Sequence, residues 1–75
     1  MNPIKRKQLE ERVHEIEENI ARVETAIAQC ETALLTFVSA EEMQQQNQQL
    51  EARRTELASL MAEWEELSQA LEAGN

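Results

Sequence analysis

Basic side chains are concentrated near the start of the chain, at Lys5, Arg6, Lys7 and Arg12. Clustered Lys and Arg can neutralise nucleic-acid phosphates, which makes binding salt-dependent. Cations at the start of a helix oppose the helix dipole, so helix stability does not explain this cluster. Three interpretations stay open: a contact to nucleic acid, a structural ion-pair cluster with Glu72, or the remnant of a linker. With four cations and many carboxylates nearby, we expect any nucleic-acid binding to be weak.

The other chemically competent residues do not form a catalytic or metal site. His14 and Cys30 lie on one predicted helix about 24 Å apart, too far to share an ion. The P-loop and dinucleotide motifs need several glycines, and Gly74 is the only one. Glutamates are abundant, but a rod of two helices offers no pocket to shift their pKa. We therefore expect no catalytic residues, cofactor, metal or small-molecule substrate in this chain.

The composition indicates which elements carry these residues. The 75 residues have a net charge of −8, one Gly, one Pro and two aromatic side chains. Glu, Gln, Ala, Leu and Arg dominate, and these residues favour helices over strands. No apolar run reaches the ~20 residues of a membrane span, so we expect no membrane association. A lone cysteine is typical of the reducing cytoplasm, where we expect the protein to reside.

Apolar residues of the first half follow a heptad spacing of four and three, which keeps one stripe of a helix towards a partner. The stripe consists of Leu9, Val13, Ile16, Ile20, Val23, Ile27, Cys30, Leu34 and Phe37. Asn2 before Pro3 suits a helix N-cap and first position. The first helix is therefore expected from about residue 3 to about 36.

A second helix is expected from about residue 40 to about 72, after a turn at about 37–39. Ser39 and Glu42 have the capping-box spacing, and Val38 and Met43 occupy the hydrophobic-staple positions. Its stripe consists of Met43, Leu50, Leu57, Met61, Trp64 and Leu71, with Leu60 and Leu67 beside it. Gly74 ends the pattern.

The turn of about three residues is so short that the two helices must be antiparallel neighbours. The chain is therefore predicted to be all-α, with an antiparallel two-helix coiled-coil hairpin that forms one domain over residues 1–75. Facing positions then have residue numbers that sum to about 80. The layers are Phe37 with Met43, Cys30 with Leu50, Val23 with Leu57, Ile16 with Trp64 and Leu9 with Leu71.

The predicted core is uneven along the rod. Opposite Ile27 the second helix offers Arg53 or Arg54, and opposite Leu34 it offers Gln46 or Asn47. We therefore expect the turn end to open more readily than the end carrying Trp64. We expect Trp64 to be largely buried against Ile16, and the alternative is a partly exposed anchor for a partner.

The segment Trp64-Glu65-Glu66-Leu67 near the end of the second helix resembles the C-terminal coiled-coil domain of ABC-F (Uup-like) ATP-binding cassette ATPases. The early Lys7-Gln8-Leu9 and Phe37 before the turn also fit the pattern of that domain. The resemblance covers residues from about 5 to about 72. The chain departs from that family in lacking a Pro-bearing turn and in its acidic charge. The resemblance implies a fragment of a larger ATPase, with ATP and Mg on domains absent here.

Two functions are expected from these observations. The first is a non-catalytic accessory domain of an ABC-F ATPase that contacts nucleic acid or the ribosome through Lys5, Arg6, Lys7 and Arg12. The second is a stand-alone coiled-coil module for protein interaction or self-association. Its contact stripes would be Ala21, Ala28, Leu35, Leu60 and Leu67.

Overall fold

Two long helices pack side by side in a computed structural model that describes residues 1–36 and 39–74. Helix α1 spans Pro3–Leu35 and helix α2 spans Ala40–Ala73. Together they form a rod of 55 × 14 × 13 Å, which matches about 50 Å for a helix of this length. The predicted all-α hairpin is confirmed. Neither helix, over the residues described, is apolar enough to cross a membrane.

Both helices begin at side-chain caps of the expected kind. The Asn2 side-chain oxygen accepts a hydrogen bond from the Lys5 N–H at 2.9 Å, and Pro3 is the first helical residue. The Ser39 hydroxyl accepts from the Glu42 N–H at 3.2 Å. These caps satisfy backbone donors that a helix start otherwise leaves open. Phe37 and Val38, predicted for the seam and the staple, lie outside the described residues.

The core follows the predicted register. Ile16 is fully buried, and Val23 and Leu50 are nearly so; all three belong to predicted layers. Ion pairs join the helices at Arg12 with Glu63 and at Arg54 with Glu31. The residue numbers sum to 75 in the first pair and to 85 in the second. One sum below 80 and one above it are expected for pairs on the two opposite flanks of one antiparallel seam.

Polar residues do enter the seam near the turn. Gln46 and Arg53 are half-buried, whereas their neighbours Asn47 and Arg54 are exposed. The structure thus decides between the alternatives that the sequence left open at both positions. Arg53 Nε is buried without a hydrogen-bond partner among the described residues. It lies 3.4 Å from Glu56 Oε2, an ion-pair contact without hydrogen-bond geometry.

Several burial predictions were wrong. Met61 is 54% exposed and Trp64 is 39% exposed, whereas Leu60 and Leu67, predicted for side stripes, are half-buried. Leu60 and Leu67 complete the four-and-three spacing of the seam, and Met61 falls on its flank. Trp64 keeps its seam position, but the facing helix covers its large indole only in part. Met43 is also 45% exposed, at the turn end of the rod.

Helix α2 ends at Gly74 without the left-handed backbone conformation that is common at helix C-termini. Gly74 has φ −78° and ψ −4°, and its N–H donates to the Ala70 carbonyl oxygen at 3.0 Å. A Cβ at Gly74 would collide with the tip of the Met1 side chain. The missing side chain therefore gives Met1 room beside the helix end.

Candidate functional site

Arg6 and Arg12 of the basic cluster form ion pairs within the hairpin. Arg12 Nη2 donates to both Glu63 carboxylate oxygens, at 2.8 and 3.0 Å, and Arg12 Nη1 donates to Glu15 at 3.0 Å. The hydrogen bond to Glu63 is the main reason why the pKa of Arg12 is raised. Arg6 Nε lies 2.9 Å from Glu10, and Arg6 Nη1 donates to the Leu71 carbonyl oxygen at 3.5 Å. The ion pairs are formed with Glu10, Glu15 and Glu63, whereas the structural interpretation from the sequence named Glu72.

Lys5 and Lys7 are the other half of the cluster. Both side chains are exposed, and neither forms an ion pair with another residue of the described ranges. They are the predicted phosphate contacts that remain available to a partner. Two lysines at the end of an acidic rod form a small electrostatic footprint for nucleic acid.

A shallow groove near the middle of the rod is the more distinctive surface. It has a volume of about 340 Å³ and is lined by Glu17 and Ile20 of α1 and by Met61 and Trp64 of α2. Met61 and Trp64 are three residues apart, so they share one helix face. Because Trp64 occupies a seam position while Met61 lies on the flank, the indole connects the core to an exposed apolar surface.

The sequence does contain a pattern that indicates this groove, but the pattern shares residues with the heptad seam. Leu57, Met61 and Trp64 form a second apolar stripe with spacing four and three that overlaps the seam through Leu57 and Trp64. Because Met61 lies on the flank of the seam, this second stripe places an apolar side chain where the facing helix does not cover it. The spacing of Met61 fits this second stripe, whereas Leu60 takes the seam position between Leu57 and Trp64.

The remaining candidate residues behave as surface or packing groups. His14 Nε2 lies 3.0 Å from Glu18 on the same helix, and its side chain is exposed. Cys30 is a half-buried free thiol opposite Leu50 in the seam. Within residues 1–36 and 39–74, no three His, Cys, Asp or Glu side chains are placed to hold a metal ion.

Comparisons with known proteins give no relative: no family model, curated protein or solved structure matches this chain. The resemblance to ABC-F coiled coils therefore stays a prediction, and the function is argued from the geometry.

Proposed function

We propose that this chain is a non-catalytic coiled-coil hairpin that acts by binding another protein. One observation carries the proposal: the groove around Trp64 exposes an indole and a thioether side by side. Tryptophan and methionine are enriched at protein interfaces, and tryptophan is a frequent binding hot spot. Burying these side chains under a partner would remove apolar surface that the hairpin alone leaves in water.

The non-catalytic part of the proposal rests on the sequence, which contains neither a glycine-rich phosphate loop nor a ligand set with metal-binding spacing. We further propose that the protein acts in the cytoplasm, where the Cys30 thiol would stay reduced.

A second candidate function is the accessory arm of an ABC-F ATPase that contacts nucleic acid or the ribosome. The observation that favours it is the exposure of Lys5 and Lys7, whose charges are not paired with other described residues. In that case ATP and Mg would bind to other domains of the parent protein. The ion pairs of Arg6 and Arg12, and the net charge of −8, make this the weaker candidate.

Site-specific photo-crosslinking separates the two functions. A photoreactive amino acid is placed at Met61 in one variant and at Lys7 in another, and each is irradiated in cell extract. We expect Met61 to give a discrete adduct that protease removes and nuclease does not, and Trp64→Ala to abolish it. Nuclease-sensitive adducts at Lys7, with none at Met61, would reject protein binding in favour of the ABC-F arm.

A further inference from the structure

The charge around the Trp64 groove is arranged asymmetrically. One flank of α1 carries a glutamate at every seventh position, at Glu10, Glu17, Glu24 and Glu31. The outer two have counter-ions, since Glu10 lies 2.9 Å from Arg6 and Glu31 lies 3.3 Å from Arg54. Glu17 and Glu24 have no ion pair with any residue in the ranges that the structure describes.

The register explains why Glu17 and Glu24 form no ion pair with the other helix over the described residues. Arg54 faces Glu31 across this flank, and one heptad further along, Met61 occupies the equivalent position opposite Glu24. Glu17 itself lines the groove with Trp64. The same register places Ser68 opposite Glu17, so neither carboxylate faces a cation on this flank of α2. The hairpin presents an apolar centre bordered by two uncompensated negative charges, about 10 Å apart along the helix axis.

We propose that this groove binds a cationic amphipathic helix of a partner protein, which packs along the hairpin as a third helix. This inference rests on the proposed protein-binding function and adds the chemistry of the partner. Apolar side chains on one face of that helix would cover Ile20, Met61 and Trp64. Lys or Arg residues two helical turns apart would pair with Glu17 and Glu24, because residues at that spacing lie on the same side of a helix.

The same charges argue against the other occupants of the groove. A second copy of this chain also carries a net charge of −8, so pairing through the groove would bring two acidic surfaces together. Nucleic-acid phosphates would meet the same repulsion. A cationic helix is the occupant that satisfies both the apolar surface and the carboxylates.

Fluorescence titration of the whole chain tests the proposal, because Trp64 is its only tryptophan. The probe is a synthetic helical peptide of about 18 residues, with leucine along one face and lysine on the other. Two matched peptides replace every lysine by glutamate or by glutamine. We expect the lysine peptide to shift the Trp64 emission to the blue and to protect it from acrylamide, with affinity falling as salt rises. We expect the glutamate peptide not to bind.

Charge variants of the chain supply the matched control. Glu17→Gln with Glu24→Gln should weaken binding roughly fivefold, as expected for two exposed ion pairs. Glu11→Gln with Glu51→Gln removes the same charge from outward positions and should change the affinity less than about twofold. Equal weakening by both pairs would overturn the proposal, because attraction would then depend only on net charge.

An apolar variant and the third peptide complete the test. Met61→Gln removes exposed apolar surface and should weaken the lysine peptide at least about fivefold without changing helix content. If the glutamine peptide binds as tightly as the lysine peptide, the cationic partner is refuted while protein binding stands. If no peptide binds and Met61 gives no protein adduct in extract, both the inference and the proposed function fail. A groove filled by self-association, detected as concentration-dependent Trp64 emission without peptide, would also overturn the inference.

Discussion

Replacing Arg53 by leucine should stabilise the hairpin, because Arg53 occupies a seam position opposite Ile27. Its Nε is buried and has no hydrogen bond to any described residue, and leaving a buried donor unsatisfied costs about 1–3 kcal/mol. The substitution also loses the contact with Glu56, worth about 0–1 kcal/mol for a partly exposed pair. We therefore expect Arg53→Leu to raise the free energy of unfolding by about 1–2 kcal/mol, which raises the melting temperature by roughly 4–16 °C.

The neighbouring arginine is the control for this experiment. Arg54 is exposed and pairs with Glu31 at 3.3 Å on the flank, so Arg54→Leu should be neutral or destabilising by less than about 1 kcal/mol. Both variants are melted by circular dichroism at several protein concentrations, to separate stability from association. Stabilisation by Arg54→Leu and not by Arg53→Leu would mean that the register is displaced by one residue, and the layers described above would be refuted.

Three further predictions follow from burial and capping. Ile16→Ala should lower the free energy of unfolding in urea by about 2–5 kcal/mol, because Ile16 is fully buried. Leu35 is 87% exposed, so Leu35→Ala should change this free energy by less than about 0.5 kcal/mol. Equal effects of the two substitutions would contradict the seam. Ser39→Ala should cost about 1 kcal/mol by removing the cap of α2, seen as faster amide exchange in its first turn; unchanged exchange would exclude a capping role. Amides of residues 42–54 should exchange faster than those of 57–71, because Gln46 and Arg53 interrupt the apolar seam; uniform protection would refute a graded rod.

The sequence was sufficient for the fold because its signals are local and agree with one another. Asn2 and Ser39 are capping residues at positions where helices can begin, and the four-and-three spacing leaves one face of each helix for the other. Antiparallel pairing then follows from the short link. These features depend on chemistry within a few residues, so a pattern can predict them without tertiary detail.

The groove could not be predicted in the same way, because exposure depends on how much space the partner helix fills. The pattern identifies Trp64 as a seam residue, but it cannot show that the facing helix leaves part of the indole uncovered. Likewise, Arg6 and Arg12 form a basic cluster in the sequence, and their ion pairs with Glu10 and Glu63 are decided by side-chain geometry. Burial and pairing across the two helices therefore limited the functional prediction.

Binding of a partner protein to the groove around Trp64 is tested most directly by amide chemical-shift mapping. The isotope-labelled chain is titrated with the lysine-faced peptide, and the shifted resonances are placed on the hairpin. The proposal predicts that the largest changes fall in residues 17–24 and 57–68, around the groove. Changes confined to residues 5–12 at the basic end, or spread evenly along the rod, would contradict it.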